Sequence, residues 1–175
     1  SYVGHDPATR QAALIDPVLD YDPATGTVSE TALQPLLGHL RAAGLDLRWV
    51  LETHAHADHV SAGRWLKRQF PAATLAIGEG IRAVQATFAP RYGMDPATDA
   101  EAFDHLFVDD ETFALGTVPC RVLAVPGHTS DSIAYLIGDA LFPGDSLFMP
   151  DAGTARCDFP GGDAHQLYRS IQTLL

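Results

Sequence analysis

The segment Thr53-His54-Ala55-His56-Ala57-Asp58-His59 constrains the possible folds of this chain more than any other stretch. It places four metal-ligand side chains within six residues, and the alanines between them leave the backbone free to turn around an ion. Imidazoles and carboxylates bind zinc or iron at about 2.0–2.2 Å, so several of them must converge on one centre. The segment therefore predicts a fold in which one tight loop contributes to a metal site.

The stretches around this segment alternate between strand-like and helix-like patterns. Residues 47–53 are predicted as a buried strand and residues 61–70 as a helix, so the histidines lie in a strand-to-helix loop. Other predicted strands are residues 12–15, 73–77, 118–125, 132–137 and 140–142. Other predicted helices run from residue 29 to Gly44, over residues 79–88 before Pro90 and over residues 164–175, and residues 92–101 are predicted as loop. This mixture favours a layered α/β fold forming a single domain over residues 1–175.

Two further candidate ligands each follow a predicted strand and a glycine. His128 lies in Pro126-Gly127-His128-Thr129, and Asp145 lies in Pro143-Gly144-Asp145-Ser146, where Gly144 lets the backbone come close to a site. Lone histidines are more often surface or hydrogen-bonded groups, and four are interpreted in that way: His5, His39, His105 and His165. The cluster is interpreted as a metal site, because a solvated face requires neither small spacers nor glycines at strand ends.

Composition and charge narrow the classes of partner. A chain of 175 residues with 46% hydrophobic residues can bury one sizeable core. Its net charge of −11 repels phosphate backbones and anionic lipids, so no nucleic acid and no membrane are expected as partners. Cys120 and Cys157 are too few for a disulfide framework, and no leader is recognisable. The expected location is the cytoplasm, or the mitochondrion if the source is a eukaryote. The oligomeric state is left open, with a homodimer as one alternative.

The metal-ligand motifs together resemble those of the metallo-β-lactamase superfamily. They are His54-Ala55-His56-Ala57-Asp58-His59, Gly127-His128-Thr129 and Gly144-Asp145, and the match covers nearly the whole chain. The resemblance implies an αββα four-layer sandwich with the metal at one edge of the paired sheets. Superfamily members begin with a fuller first strand and continue into another strand with a further histidine, so this sandwich is expected to be incomplete at both ends. Since the superfamily includes hydrolases, oxygenases and electron-transfer modules, the fold alone does not fix the reaction.

Two other segments are similar to the persulfide dioxygenases, also called sulfur dioxygenases. They are Ile15-Asp16-Pro17-Val18 and Ala155-Arg156-Cys157-Asp158-Phe159. Glyoxalase II is expected to have a segment of the Arg-Phe-Phe type at the position of the second one. The resemblance implies one Fe(II) per chain, bound by His54, His128 and Asp145 as the catalytic residues. Two imidazoles and one carboxylate leave coordination positions open for substrate and O₂. The implied reaction oxidises glutathione persulfide with O₂ and water to sulfite and glutathione.

The remaining candidates have more than one predicted role. Three members of the cluster are expected either to orient the iron ligands or to bind a second metal: His56, Asp58 and His59. Arg156 is the candidate for contacting a carboxylate of the substrate, because a guanidinium pairs bidentately with carboxylates. An ion pair of Arg156 with Asp151 or Asp158 is an equal alternative.

Two other functions stay open at this point. A thioester hydrolase of the glyoxalase II kind would bind two Zn(II) ions through every cluster ligand, with Asp145 bridging them. A non-catalytic module of the same fold is the second alternative, and the expected incompleteness of the sandwich motivates it. The flavodiiron relatives are set aside, because they require a glutamate that Ala55-His56-Ala57 does not offer.

Overall fold

A computed structural model describes residues 1–93 and 102–175 as a sequence of short strands and helices. The strands are β1 (Tyr2–His5), β2 (Gln11–Ile15), β3 (Val18–Asp22), β4 (Thr27–Ser29), β5 (Asp46–Leu51), β6 (Val60–Ser61), β7 (Thr74–Gly78), β8 (His105–Phe107), β9 (Thr112–Leu115), β10 (Val118–Ala124), β11 (Ile133–Ile137) and β12 (Ala140–Phe142). The helices are α1 (Gln34–Ala42), α2 (Gly63–Gln69), α3 (Ile81–Tyr92) and α4 (Ala164–Leu174), with 3-10 turns η1 (Thr31–Leu33) and η2 (Gly144–Ser146). None of the helices in the described residues is long and apolar enough to cross a membrane.

The strands form two main sheets and a small third one. The first has the order β1-β2-β5-β7-β8, and all its pairs are parallel except β1 with β2. The second is antiparallel with the order β12-β11-β10-β9, and the third has the order β4-β3-β6. Parallel neighbours need crossover connections, and α1, α2 and α3 lie in the connections between the strands of the first sheet.

Strand β2 explains how the layers are held together. Successive side chains of a strand point to opposite faces, and all four from Ala12 to Ile15 are buried. Ala12 and Leu14 pack in a core with residues of α1 and α2, including Leu37 and Leu66. Ala13 and Ile15 pack in the other core, against the second sheet. The first sheet is therefore covered by helices on one face and by the second sheet on the other, as the predicted α/β sandwich requires.

The predicted elements near the site differ from the observed ones mainly at their ends. The strand expected to reach residue 53 ends at Leu51, so Glu52 and Thr53 already belong to the loop of the metal cluster. The helix expected from residue 29 begins as η1 and continues as α1. Gly44 follows α1 with a φ of +58°, in agreement with its predicted role as a stop.

Helix α3 is longer than predicted. Its end was expected at residue 88 before Pro90, but the helix continues to Tyr92 with Pro90 inside its last turn. A proline there removes few helical hydrogen bonds, and the helix ends at Gly93, which has a φ of +63° and donates its N–H to the carbonyl of Ala89. The extension brings the ring of Tyr92 to 6.1 Å from that of Phe88. The loop predicted over residues 92–101 lies outside the described residues from position 94 onwards.

Candidate metal centre

Three predicted ligands from separate loops converge where strands of both sheets end. His54 follows β5, His128 follows β10, and Asp145 lies in η2 just after β12. The Nε2 atoms of His54 and His128 lie 3.8 Å and 3.6 Å from Oδ2 of Asp145. One ligand atom from each residue falls within 4.8 Å of the others. Ligand atoms that bind one ion at about 2.0–2.2 Å lie only slightly closer to one another than the atoms of this triad do. The three residues therefore fit a metal ion.

Hydrogen bonding determines which nitrogen of His54 is free to bind a metal. The hydroxyl of Thr53 donates to Oδ2 of Asp16 at 2.9 Å, so its oxygen accepts from Nδ1–H of His54, also at 2.9 Å. The Nε2 lone pair then faces Asp145. Burial, aided by the nearby His56, lowers the pKa of His54 to about 3. The ring is therefore neutral, which is the form that binds metal ions.

The orientation of His128 is fixed by a backbone carbonyl. Nδ1 of His128 lies 2.7 Å from the carbonyl oxygen of Arg156, and a carbonyl oxygen can only accept. Nδ1 therefore carries a proton, and Nε2 is the ring nitrogen that faces Asp145. The ring of Phe159 stands edge-on to the imidazole, with the two centroids 5.6 Å apart. The segment after β12 thus positions a ligand that lies on another loop.

Two glycines allow the loops to approach this closely. Gly144 has a φ of +53°, and a Cβ there would lie 2.5 Å from Oγ1 of Thr53, as its predicted close approach requires. Gly127 has a φ of +141°, and a Cβ would lie 2.3 Å from the backbone nitrogen of Leu167 in α4. A larger residue at either position would displace the ligand that follows it.

His56 lies beside the triad and is held by carboxylates. Its Nε2 is 3.1 Å from Oδ1 of Asp16 and 3.7 Å from Oε2 of Glu52. Burial lowers the pKa of His56, but the hydrogen bond and charge of Asp16 outweigh burial and raise the pKa above its ordinary value. The centroid of the ring is 4.1 Å from that of His54. His56 can therefore restrict the orientation of the neighbouring His54 ring.

Asp58 and His59 form a second group with His56. Nδ1 of His59 lies 3.2 Å from Oδ1 of the exposed Asp58. The three residues offer one ligand atom each, all within 4.8 Å of one another. This arrangement is compatible with both predicted roles, the orientation of the iron ligands and the binding of a second metal.

Glu52 is a buried acid that the sequence analysis did not single out. Its Oε1 accepts a hydrogen bond from the hydroxyl of Ser61, while Oε2 is buried without a hydrogen-bond partner among the described residues. Burial and then the charge of Asp16 raise the pKa of Glu52 to about 8. Its position directly before Thr53 is the only sequence signal for it. Glu52 therefore contributes a protonated carboxyl behind the cluster at neutral pH.

Asp131 is a second residue that the sequence analysis missed. It is buried, and its Oδ2 accepts a hydrogen bond from the backbone N–H of Ala55 at 2.8 Å. Ala55 lies between His54 and His56, so Asp131 holds the metal loop directly. Nothing in the surrounding Thr129-Ser130-Asp131-Ser132 marks this contact.

Arg156 forms the predicted ion pair with a neighbouring aspartate. Its guanidinium is paired bidentately with Asp158, at 2.5 Å from Nε to Oδ1 and 2.7 Å from Nη2 to Oδ2, rather than with Asp151. It also lies 4.8 Å from the centre of the Phe159 ring. Both members of the ion pair are exposed. Arg156 lines a cavity that reaches His128 and Asp145, so its contact with a substrate stays a prediction.

Two cavities open onto the metal centre. One, of about 890 Å³, is bounded by Asp58, His59 and Asp145 together with apolar residues after β12. The other, of about 810 Å³, lies between α3 and the segment that carries Arg156. We name the second cavity the α3 groove, and its lining includes Val84, Phe88, Tyr92, His128, Asp145, Arg156, Phe159 and Pro160.

Comparison with known proteins establishes the family. The chain belongs to the metallo-β-lactamase superfamily, which matches residues 9–175, and the predicted fold is thereby confirmed. It is 45% identical over 175 residues to a beta-lactamase hydrolase-like protein of Xylella fastidiosa, covering 99% of this chain and 40% of the relative. It is 43% identical over 173 residues to glyoxylase B2 of Dictyostelium discoideum, covering 97% of this chain and 59% of the relative.

Among solved structures, ETHE1 from Myxococcus xanthus is similar to the whole chain. The TM-score is 0.74 and the sequence identity is 32%, and the match covers 99% of this chain and 63% of ETHE1. The chain therefore spans less than two thirds of each of these three proteins. The superfamily binds metal ions, and the triad supplies a suitable set of ligands in this chain.

Proposed function

We propose that this chain is the catalytic domain of a mononuclear iron dioxygenase that oxidises a low-molecular-weight persulfide. Glutathione persulfide is the expected substrate, and sulfite and glutathione are the expected products. The convergence of two imidazoles and one carboxylate carries the proposal, because this ligand set is typical of non-haem Fe(II) oxygenases. The likeness to ETHE1, a persulfide dioxygenase, supports the same reaction.

Each residue of the centre has a distinct part in this proposal. Nε2 of His54, Nε2 of His128 and the carboxylate of Asp145 would hold Fe(II). Bound Fe(II) would supply the redox chemistry between the persulfide sulfur and O₂. The overall reaction is balanced, since the persulfide RSSH, O₂ and water give RSH and sulfurous acid, which ionises to sulfite. The outer sulfur loses the electrons that O₂ gains.

The chain's own residues orient the metal ligands. Thr53 and the carbonyl of Arg156 hold the two imidazoles so that both Nε2 atoms face one point. Asp131 holds the loop between His54 and His56. Partners of this kind commonly set ligand orientation and basicity in metal sites. Arg156 is proposed to contact a carboxylate of the substrate at the outer end of the α3 groove.

The proposed reaction needs only small-molecule partners. Persulfide and O₂ are the expected ones, without nucleic acid or membrane, and a homodimer is an acceptable assembly. Cys120 and Cys157 are free thiols, which suits a reducing compartment such as the cytoplasm or the mitochondrion.

Metal content and oxygen consumption test the proposal. Protein loaded anaerobically with Fe(II) is expected to retain about one iron per chain and to consume O₂ only when persulfide is added, with sulfite as product. The variant His128→Ala should lose both iron and activity, whereas His39→Ala, at an exposed position on α1, should retain both. Absence of oxygen uptake in the iron-loaded protein would contradict the proposal.

A dizinc thioester hydrolase is the second candidate function. The close group of His56, Asp58 and His59 favours it, as does the similarity to glyoxylase B2. Two bound zinc ions would generate a hydroxide nucleophile near neutral pH. About two zinc ions per chain together with hydrolysis of S-lactoylglutathione would establish this candidate. Neither activity in the metal-loaded protein would favour a non-catalytic module.

A further inference from the structure

The loop that carries His128 is held from behind through its backbone. The carbonyl oxygens of residues 125–127, directly before the histidine, each accept a hydrogen bond from a later part of the chain. The hydroxyl of Ser146 donates to the first at 3.0 Å, and the hydroxyl of Ser170 donates to the second at 2.8 Å. The backbone N–H of Asp163 donates to the third, also at 2.8 Å. Three successive peptide groups are therefore fixed immediately before the metal ligand.

Ser146 connects two of the three loops that bring the ligands together. It follows Asp145 directly and is fully buried. Its hydroxyl donates to the carbonyl of Val125, while its own carbonyl accepts a hydrogen bond from the hydroxyl of Thr154 at 2.8 Å. The hydroxyl of Ser146 therefore ties the loop of Asp145 to the loop of His128. It helps to fix the distance of 3.6 Å between Oδ2 of Asp145 and Nε2 of His128.

Ser170 connects the same loop to α4. It is buried, and its hydroxyl donates to the carbonyl of Pro126. Serine is a weaker helix former than alanine and adds little apolar surface, so the packing of α4 does not by itself require a serine here. The helix begins after Asp163, whose backbone N–H holds the next carbonyl of the loop, that of Gly127. Helix α4 and its N-terminal residue therefore hold two successive carbonyls before the metal ligand.

We propose that Ser146 and Ser170 are positioning residues for the metal, because they hold the loop of His128 so that its Nε2 faces Asp145 before an ion binds. Neither serine belongs to the triad, and neither lines the two cavities at the metal centre. A ligand that is already in place loses less conformational freedom on binding, so the two hydroxyls raise metal affinity. This inference rests on the triad as the metal site of the proposed function, but not on the reaction that the metal performs.

Titration of the metal-free protein with Co(II), in competition with a chelator, tests the inference. Ser146→Ala and Ser170→Ala should each bind Co(II) about threefold to tenfold more weakly than the unmodified protein. The visible absorption bands of bound Co(II) should also shift, because they depend on the geometry of the ligands. Ser170→Thr retains a hydroxyl and should restore both values. Thr173→Ala is the matched control on α4, because the hydroxyl of Thr173 donates to Arg169 within the same helix, and this variant should bind like the unmodified protein.

Urea denaturation of the metal-free variants separates a loss of positioning from a loss of folding. If one alanine variant does not fold, the other decides the test, since the two serines lie on different elements. A merely structural role would lower the free energy of unfolding and leave both Co(II) affinity and the absorption bands unchanged, and that result would overturn the inference. Absence of Co(II) binding by the unmodified protein would also overturn it. Absence of oxygen uptake in the iron-loaded protein would contradict only the proposed function.

Discussion

The Nδ1 atom of His128 donates a hydrogen bond to the carbonyl oxygen of Arg156, 2.7 Å away. The residue proposed to contact substrate therefore also orients a metal ligand, but it does so through its backbone. The guanidinium points elsewhere, to Asp158 and to the face of Phe159. The two roles of this position can consequently be separated by changing the side chain alone.

The substitution Arg156→Ala should leave iron content unchanged and weaken only the binding of anionic carriers. The carbonyl that holds His128 is retained, while the cationic partner of a substrate carboxylate is lost. Because the site is exposed, we expect a modest increase of about threefold to tenfold in KM for glutathione persulfide. Elemental analysis and oxygen uptake measure the two effects.

A matched control for that substitution is available on β10. Arg121 also forms an exposed ion pair, with Asp110, and it lies outside the lining of the α3 groove. Arg121→Ala should change neither iron content nor KM. Loss of iron from Arg156→Ala would show that the side chain is needed for the metal site, against the expectation.

The substitution Thr53→Val should weaken iron binding without removing a ligand. Valine keeps the shape of threonine but offers no oxygen to Nδ1–H of His54, so the ring loses the contact that fixes its tautomer and orientation. Removal of such a partner typically costs about 10–100-fold in metal affinity. Anaerobic titration against a competing chelator measures it. Thr173→Val, at an exposed position of α4, should bind iron like the unmodified protein.

The substitution Asp131→Ala should destabilise the metal loop. It leaves the N–H of Ala55 without its acceptor, at a cost of about 1–3 kcal/mol in the free energy of unfolding. Asp131→Asn should lose less, because the amide oxygen can still accept that hydrogen bond. Urea denaturation of the metal-free protein measures both variants. Stability of Asp131→Ala equal to that of Asp139→Ala, at an exposed turn, would refute this role.

These residues illustrate which parts of the site the sequence could predict. The triad was predictable because each member has a local mark, either the clustered histidines or a glycine at a strand end. The contact between Asp131 and Ala55 joins positions that are 76 residues apart, so no local pattern records it. Glu52 is similar, since its raised pKa results from tertiary burial and the proximity of Asp16.

The fold also was predictable where a local sequence pattern marks an element and not where the element depends on distant residues. Buried strands such as β2 and β7 were predictable, because each contains a continuous apolar run that is buried on both faces. The pattern did not mark strands β1, β3 and β4, whose residues are mostly exposed and whose pairing depends on neighbouring strands. The end of α3 was wrong because Pro90 was treated as a terminator. The helix continues to Tyr92 instead, and this difference adds Tyr92 to the apolar wall of the α3 groove.

The substitution Glu52→Gln should reduce the pH dependence of stability in the metal-free protein. The carboxyl releases its proton near pH 4.5 in the unfolded chain but at about 8 in the folded one, so folded Glu52 holds the extra proton between these values. Stability from this group is therefore full below about pH 4.5 and is lost as the pH rises towards 8. His56, whose pKa is also raised, acts in the same direction, so the slope of the free energy of unfolding against pH should become smaller in Glu52→Gln without vanishing.

Glutamine at position 52 can still accept the hydrogen bond from Ser61 but cannot ionise. The fall in the free energy of unfolding between low and high pH should therefore be smaller by a few kcal/mol in the variant. Urea denaturation at about pH 5, 6.5 and 8 measures the slope. A slope in Glu52→Gln as steep as that of the exposed control Glu30→Gln would contradict the buried, protonated state of this carboxyl.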